Sequence, residues 1–305
     1  MLTSLLTVAS QVLVLFLMMG VGFVLGKLKK LAGPGLSQMS TLLLYVVAPC
    51  VIMDAFQQDN PPSLQLLAVG LAALSVYYLL IIPASGLLFR RQEPKTRSVL
   101  QLGTCYPNAS FMGLPLLQVV LGPSALVYGV ISMILFTITQ WVHGTVTMGS
   151  KFSLKQAILN PGVIGLAMGL PLLLFGLKLP LPLRTAVSFL ADMNTPLAMV
   201  VIGGQMATAD FVATFTQPKL YSAAAGKLLL LPALIMVLLL PFHLDPLLYC
   251  TCVILAATPT AGVTSIFAQR FGQDTATAAQ LVTLCTLLSI LTMPIFAVLA
   301  QMLCK

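Results

Sequence analysis

Seven carboxylates in 305 residues are too few to clothe a folded chain in water; Asp54, Asp59, Glu93, Asp192, Asp210, Asp245 and Asp274 make up the whole set. A soluble domain carries about a quarter charged residues. Here charged residues are 7% and hydrophobic ones 59%, at a mean hydropathy of +1.03. The solvent this sequence is built for is lipid. In lipid, backbone N–H and C=O groups need internal partners, which leaves helices or closed barrels, and apolar runs of about 20 residues select helices. The expected fold class is therefore an all-α membrane protein.

Apolar windows fall near 5–28, 36–56, 63–89, 98–121 and 124–148 and, after a polar break with Lys151, Lys155 and Asn160, near 162–178, 183–207, 218–240, 246–269 and 275–303. These predict ten transmembrane helices, five in residues 1–150 and five in 151–305. With both termini outside, Lys27, Lys29, Lys30, Arg90, Arg91, Lys95, Arg97, Lys151, Lys155, Lys219 and Arg270 face inward, against Lys178, Arg184 and Lys305 outside. That asymmetry orients a multi-pass protein of the inner (plasma) membrane. Residues 1–25 lack a positive n-region, so the first run reads as a retained span rather than a cleaved signal. Trp141, near the inner end of span five, reads as an interfacial anchor.

The net charge of +8 sits in short clusters between apolar runs. It reads as a topology signal, with no nucleic-acid partner expected. Cys50, Cys105, Cys250, Cys252, Cys285 and Cys304 mostly fall inside apolar stretches and read as packing residues. No disulfide, metal site or cofactor is expected from them.

The second half resembles the first. Gly26-Lys27-Leu28 ends span one with Pro49 23 residues after Gly26, and Gly176-Leu177-Lys178 ends span six with Pro196 20 residues after Gly176. Pro107 in span four and Pro259 in span nine follow at separations of 58 and 63 residues. Five spans per half invert the second repeat in the membrane.

Span four carries Gly103-Thr104-Cys105-Tyr106-Pro107-Asn108-Ala109-Ser110-Phe111-Met112-Gly113-Leu114-Pro115, and span nine Ala257-Thr258-Pro259-Thr260-Ala261-Gly262-Val263-Thr264-Ser265. A proline removes a backbone donor and frees carbonyls, and the half-helix that follows presents unpaired amides that attract anions. Paired broken helices near the midplane point to a substrate site. The candidates there are Pro107, Asn108, Ser110, Pro259, Thr260, Gly262 and Thr264, with Asn108 foremost; the threonine hydroxyls read equally well as caps on freed carbonyls. Asp192 in span seven and Lys227 in span eight lie deep in apolar windows. Lys227 can attract an anionic substrate, pair with Asp192, change charge state during transport or serve structure alone. Asn194 and Asn160 join Asp192 as coupling or supporting candidates.

Pro107-Asn108 followed by Phe111-Met112-Gly113-Leu114-Pro115-Leu116, the Asn160-Pro161 opening, Lys227 five residues before Pro232, and Pro259 resemble the auxin efflux carrier family in its short prokaryotic form. The resemblance covers nearly the whole chain. It implies a fold similar to bile acid sodium symporters, with spans 1, 2, 6 and 7 as scaffold and spans 3–5 and 8–10 as a transport unit moving as an elevator, often in a homodimer. It places the crossover prolines at Pro107 and Pro259, the substrate Asn at Asn108 and the span-eight base at Lys227. Plant members carry a second Asn where this chain has Gly162. Bacterial relatives are associated with malonate, malate and similar organic anions.

The expectation is thus a secondary-active carrier of a small organic anion. Only Tyr106, Phe111 and Phe267 lie near the crossover in sequence, which argues against a stacking platform for a large planar ring. The alternatives are an auxin-like exporter of aromatic weak acids, a channel, and a non-transporting sensor. An enzyme is not expected, since His-Glu-x-x-His, Gly-x-Ser-x-Gly and paired deep aspartates are all missing.

Overall fold

The computed structural model describes residues 2–31, 33–57, 64–151 and 161–303. Asn160 lies outside them. Among the described residues every regular element is helical: α1 (Leu2–Lys27), α2 (Gly33–Phe56), α3 (Leu64–Leu88), α4 (Pro94–Cys105), α5 (Ala109–Leu121), α6 (Leu126–Thr147), α7 (Pro161–Leu174), α8 (Leu181–Met206), α9 (Phe211–Thr216), α10 (Pro218–Phe242), α11 (Pro246–Ala257), α12 (Val263–Arg270) and α13 (Thr275–Leu303). Seven helices, α1, α2, α3, α6, α8, α10 and α13, are long and apolar enough to cross a bilayer; α5, α7 and α11 are shorter apolar helices.

Helix association in lipid rests on close backbone approach, because burying apolar side chains gains little there. The sequence supplies small residues where the helices touch. A Cβ on Gly22 of α1 would lie 2.0 Å from the Val200 carbonyl oxygen of α8, and one on Gly203 of α8 would lie 1.9 Å from that of Met19. The second such seam joins α7 to α2, where a Cβ on Gly165 would come within 2.9 Å of the Pro49 Cα. Thus α1 lies along α8 and α2 along α7.

Hydrogen bonds tie several helix ends to one face of the molecule. Thr96 Oγ1 on α4 donates to Asp274 Oδ2 before α13 at 2.8 Å, Lys219 Nζ on α10 donates to Thr277 Oγ1 on α13 at 3.1 Å, and Gln273 Nε2 donates to the Met148 carbonyl after α6 at 2.7 Å. This face carries the α3–α4 turn with Arg90 and Arg91, and Arg270 at the end of α12. Far along α2, Gln57 Nε2 donates to the Leu177 carbonyl at 2.9 Å, and Lys178 Nζ donates to the Gln57 carbonyl at 2.9 Å, closing the α7–α8 turn.

Four helices contain a turn wound one residue wider than an α-turn: Leu43–Val47 in α2, Ala109–Gly113 opening α5, Gln140–Gly144 in α6 and Gly226–Leu230 in α10. Such turns often mark functional positions. The short α11 needs no lipid contact along its later part, because Leu248 through Ala257 are all buried. Broken backbone at membrane depth is tolerated where protein covers it.

Candidate functional site

At the breaks between α4 and α5 and between α11 and α12 the two segments cross antiparallel, with Pro107 opposite Thr260. Asn108 N donates to the Pro259 carbonyl at 2.7 Å and Ala261 N donates to the Tyr106 carbonyl at 3.0 Å. The flanking residues make both bonds, so a proline, which has no N–H, fits at the crossing point without losing one.

The carbonyls that the prolines strand can be followed one by one. Pro107 has no N–H for the Gly103 carbonyl one turn back, and Thr260 Oγ1 reaches across from the other broken segment to donate to it at 2.8 Å. Pro259 has no N–H for the Leu255 carbonyl, which accepts from Thr258 Oγ1 at 2.8 Å and from the Thr258 amide at 3.3 Å. The next carbonyl, Ala256, accepts from Lys227 Nζ at 2.8 Å, and that of Cys105 accepts from the Tyr77 hydroxyl at 3.0 Å. Buried backbone groups are almost always paired, and here side chains do the pairing. Gly103 allows the approach, since a Cβ there would meet Leu281 Cδ2 at 2.4 Å and Thr260 Cγ2 at 3.1 Å.

A cavity of about 980 Å³ runs from Gly33, Pro34 and Arg270 at the helix ends of the basic face down to Asn108 and Ala109 at the crossover. Of the sequence-predicted residues, Asn108, Ser110 and Gly262 line it; Pro107, Pro259, Thr260, Thr264 and Lys227 do not. Asn108 is 3% exposed, and its carboxamide takes no hydrogen bond from the described residues. Among them no backbone carbonyl accepts from the amides of Ala109, Ser110 and Phe111 at the start of α5, or of Gly262 and Val263 at the start of α12. All five residues line the cavity. The positive ends of two half-helices therefore face the same space. Asn194 Nδ2, on α8, donates to the Ser110 carbonyl at 3.0 Å and anchors the start of α5.

Lys227 is fully buried and is spent on the Ala256 carbonyl. Asp192 is exposed beside the turn at Met193 that interrupts α8, and among the described residues no ion pair joins it to Lys227. Their pairing is not realised. Trp141 lies in the cavity wall, its ring 5.5 Å from the Arg270 guanidinium and 5.4 Å from the Phe267 ring. One further sequence expectation is corrected by packing. Aromatic residues are not scarce around the site, since Tyr45, Phe111, Phe136, Trp141 and Phe267 all line the cavity.

Sequence reasoning also passed over Gln140 and Gln205, which line the cavity. The available signal was a polar amide inside an apolar window, as for Asn194. Of the 31 residues in the wall, the ionisable ones are Tyr45 and Arg270, and none is a carboxylate. The wall thus carries one positive charge, two helix amino ends and several amide and hydroxyl groups, a set that suits an anion.

The chain matches the family model described as "Membrane transport protein" over residues 7–151 and 145–297. It is 24% identical over 305 aligned positions to a protein of Rhizobium meliloti (strain 1021) named "Putative malonate transporter", with 93% of each chain covered. With almost the whole sequence accounted for in this way, the chain belongs to the membrane transport protein family, the auxin efflux carriers that its crossover motifs resemble.

Proposed function

We propose that this multi-pass protein is a secondary-active carrier of a small organic anion. The observation that carries the reading is a cavity ending on two half-helix amino ends, with Arg270 as the charged residue in its wall. Each broken pair, α4 with α5 and α11 with α12, counts as one span in this reading. The chain then has ten spans, α1–α6 forming one repeat and α7–α13 its inverted counterpart. The seams of α1 with α8 and α2 with α7 support it, since inversion exchanges span one with six and span two with seven.

In this arrangement α1, α2, α7 and α8 are the scaffold, and α3–α6 with α10–α13 move the crossover past it. Asn108, Ser110 and Gly262 face the substrate, whereas Thr258, Thr260, Tyr77 and Lys227 hold the crossing chains. With the basic face inward, the cavity is open to the cytoplasm. A dicarboxylate fits the wall's charge, and the name of the Rhizobium relative points the same way. A second reading, an aromatic weak acid, is favoured by the five rings in the wall.

Uptake of radiolabelled malonate, malate and indole-3-acetate into proteoliposomes, under imposed proton, sodium and potential gradients, tests the proposal. Saturable flux of malonate or malate is expected, and its dependence on the gradients names the driving force. Flux of indole-3-acetate alone selects the aromatic acid, and no saturable flux of any of the three rejects the carrier.

A further inference from the structure

The crossover is hydrogen-bonded to a histidine. Tyr106, whose carbonyl accepts from Ala261 N in the bridge between the two broken segments, extends its hydroxyl to α6. There it donates to the Thr139 carbonyl at 3.0 Å and lies 2.9 Å from His143 Nδ1. A phenol has one proton. With that proton on the carbonyl, Tyr106 can only accept from the imidazole, so the network assigns a proton to Nδ1. On the far side of the ring, Nε2 lies 3.0 Å from the Thr147 hydroxyl. A hydroxyl donates to a bare nitrogen or, after rotation, accepts from a protonated one. Both charge states of His143 are thus hydrogen-bonded at both nitrogens with no movement of the backbone.

His143 is half-buried in the wide turn of α6 that also brings Gln140 and Trp141 into the cavity wall. Thr147, the last residue of α6, leads from it toward the basic face. The titratable and charged groups around it are few. On α4 they are Tyr106, with the Tyr78 ring of α3 5.9 Å from it, and Cys105, which is turned to Ser85 at 3.0 Å. On α12, Phe267 packs against Gly144 and Arg270 lies over Trp141. Among the described residues no carboxylate bonds to the imidazole.

No other group is placed to carry a proton with the crossover. Histidine is the side chain that ordinarily titrates between about pH 5 and 8. The second histidine, His243, is exposed in the turn between α10 and α11, and Lys227 is engaged on the Ala256 carbonyl. Of the described carboxylates, Asp54 and Asp192 lie on α2 and α8, outside the unit proposed to move, and Glu93, Asp210, Asp245 and Asp274 stand at helix starts.

Building on the organic-anion reading, we propose that His143 is a proton-binding site coupled to the anion at the crossover, which makes the carrier a proton–anion symporter. Nε2 takes a proton from the inner aqueous phase by way of Thr147, and the added positive charge strengthens binding of the anion held at α5 and α12. The unit of α3–α6 and α10–α13 crosses with both or with neither, and the same proton leaves Nε2 to the aqueous phase on the other side.

Proteoliposomes with a trapped pH dye, their potential clamped by potassium and valinomycin, are given malate or malonate, which are dianions at neutral pH. Wild type is expected to acidify the lumen by about one proton per anion, since one imidazole carries it. His143→Gln cannot take up charge; it is expected to carry the anion down its gradient with the acidification lost and with no response to an imposed pH gradient. Acidification that survives His143→Gln means that the proton rides on the substrate and overturns the site. Wild-type flux without acidification overturns it too and leaves the carrier standing, whereas no saturable flux of either anion overturns both. If His143→Gln carries no flux, the imidazole is read directly by nuclear magnetic resonance in nanodiscs. In His243→Asn, which suits the left-handed backbone there, His143 is the one histidine, and isotope-labelled ring nitrogens report its charge. Malate is expected to raise the ratio of charged to neutral imidazole about tenfold, the reciprocal of about tenfold tighter malate binding to the protonated carrier. That is the coupling of unit charges about 12 Å apart at the screening of a protein interior. A ratio that malate does not move overturns the coupling.

Discussion

Asn108 joins both aspects of the crossover. Its amide nitrogen closes the bridge to Pro259, and its carboxamide faces the cavity. Replacing the side chain leaves the main-chain bond in place. Asn108→Ala is therefore expected to lower anion flux by about tenfold or more while the melting temperature stays near wild type, because at least one charge-assisted hydrogen bond to substrate is lost. Unchanged flux removes Asn108 from the site. Lys227 is expected to behave in the opposite way. Lys227→Met strands the Ala256 carbonyl in the core at a cost of about 1–3 kcal/mol, seen as a lower melting temperature, with little change in KM for the flux that remains. A large rise in KM at unchanged stability places Lys227 on the substrate instead. Asn108 was legible in the sequence because Pro107 beside it fixes a break. The destination of Lys227 was not, since depth in an apolar window says nothing of which carbonyl a side chain will meet.

At the scale of helices, the seams set the tolerance. A Cβ on Gly203 overlaps the Met19 carbonyl, a contact of backbone with backbone that no rotamer relieves. Gly203→Val is expected to destabilise the detergent-solubilised protein by about 1–3 kcal/mol or more, read as a drop in melting temperature; tolerance of valine there contradicts the close α1–α8 seam. The start of α13 makes a pH prediction. Partial burial alone would raise the Asp274 carboxyl, but bonds from the Thr277 hydroxyl and amide and from Thr96, with Lys219 nearby, outweigh it and hold the group below its ordinary 3.8. A depressed pKa adds stability above the unfolded value, and that stability is lost as pH falls through the folded one. Asp274→Asn is thus expected to melt lower than wild type at neutral pH, and the difference to vanish on acidification below about 3.8. A difference that persists there assigns the effect to packing. The breaks between α4 and α5 and between α11 and α12 were readable, because proline cannot supply the N–H its helix needs. The wide turns that carry Tyr45, Gln140 and Lys227 were not, as an extra residue in a turn leaves no pattern in side-chain polarity.

For the whole molecule, composition and apolar windows made the all-helical membrane class legible, and the crossover motifs made the family so. The cavity was not, because its wall draws on α2, α5, α6, α7, α8, α12 and α13, residues separated by up to 246 positions in the chain from Gly33 to Ala279. Its aromatic content and the place of Trp141 follow from that packing. The central claim is that the cavity delivers its occupant across the membrane by alternating exposure of the crossover. Counterflow in proteoliposomes tests this most directly: vesicles are loaded with unlabelled malate, and labelled malate is added outside at trace concentration with no ion gradient. The account predicts transient accumulation of label above equilibrium in wild type and its loss in Asn108→Ala. Label that rises only to equilibrium, unaffected by the internal load, or that fails to enter while binding persists, contradicts a carrier and leaves a channel or a sensor in its place.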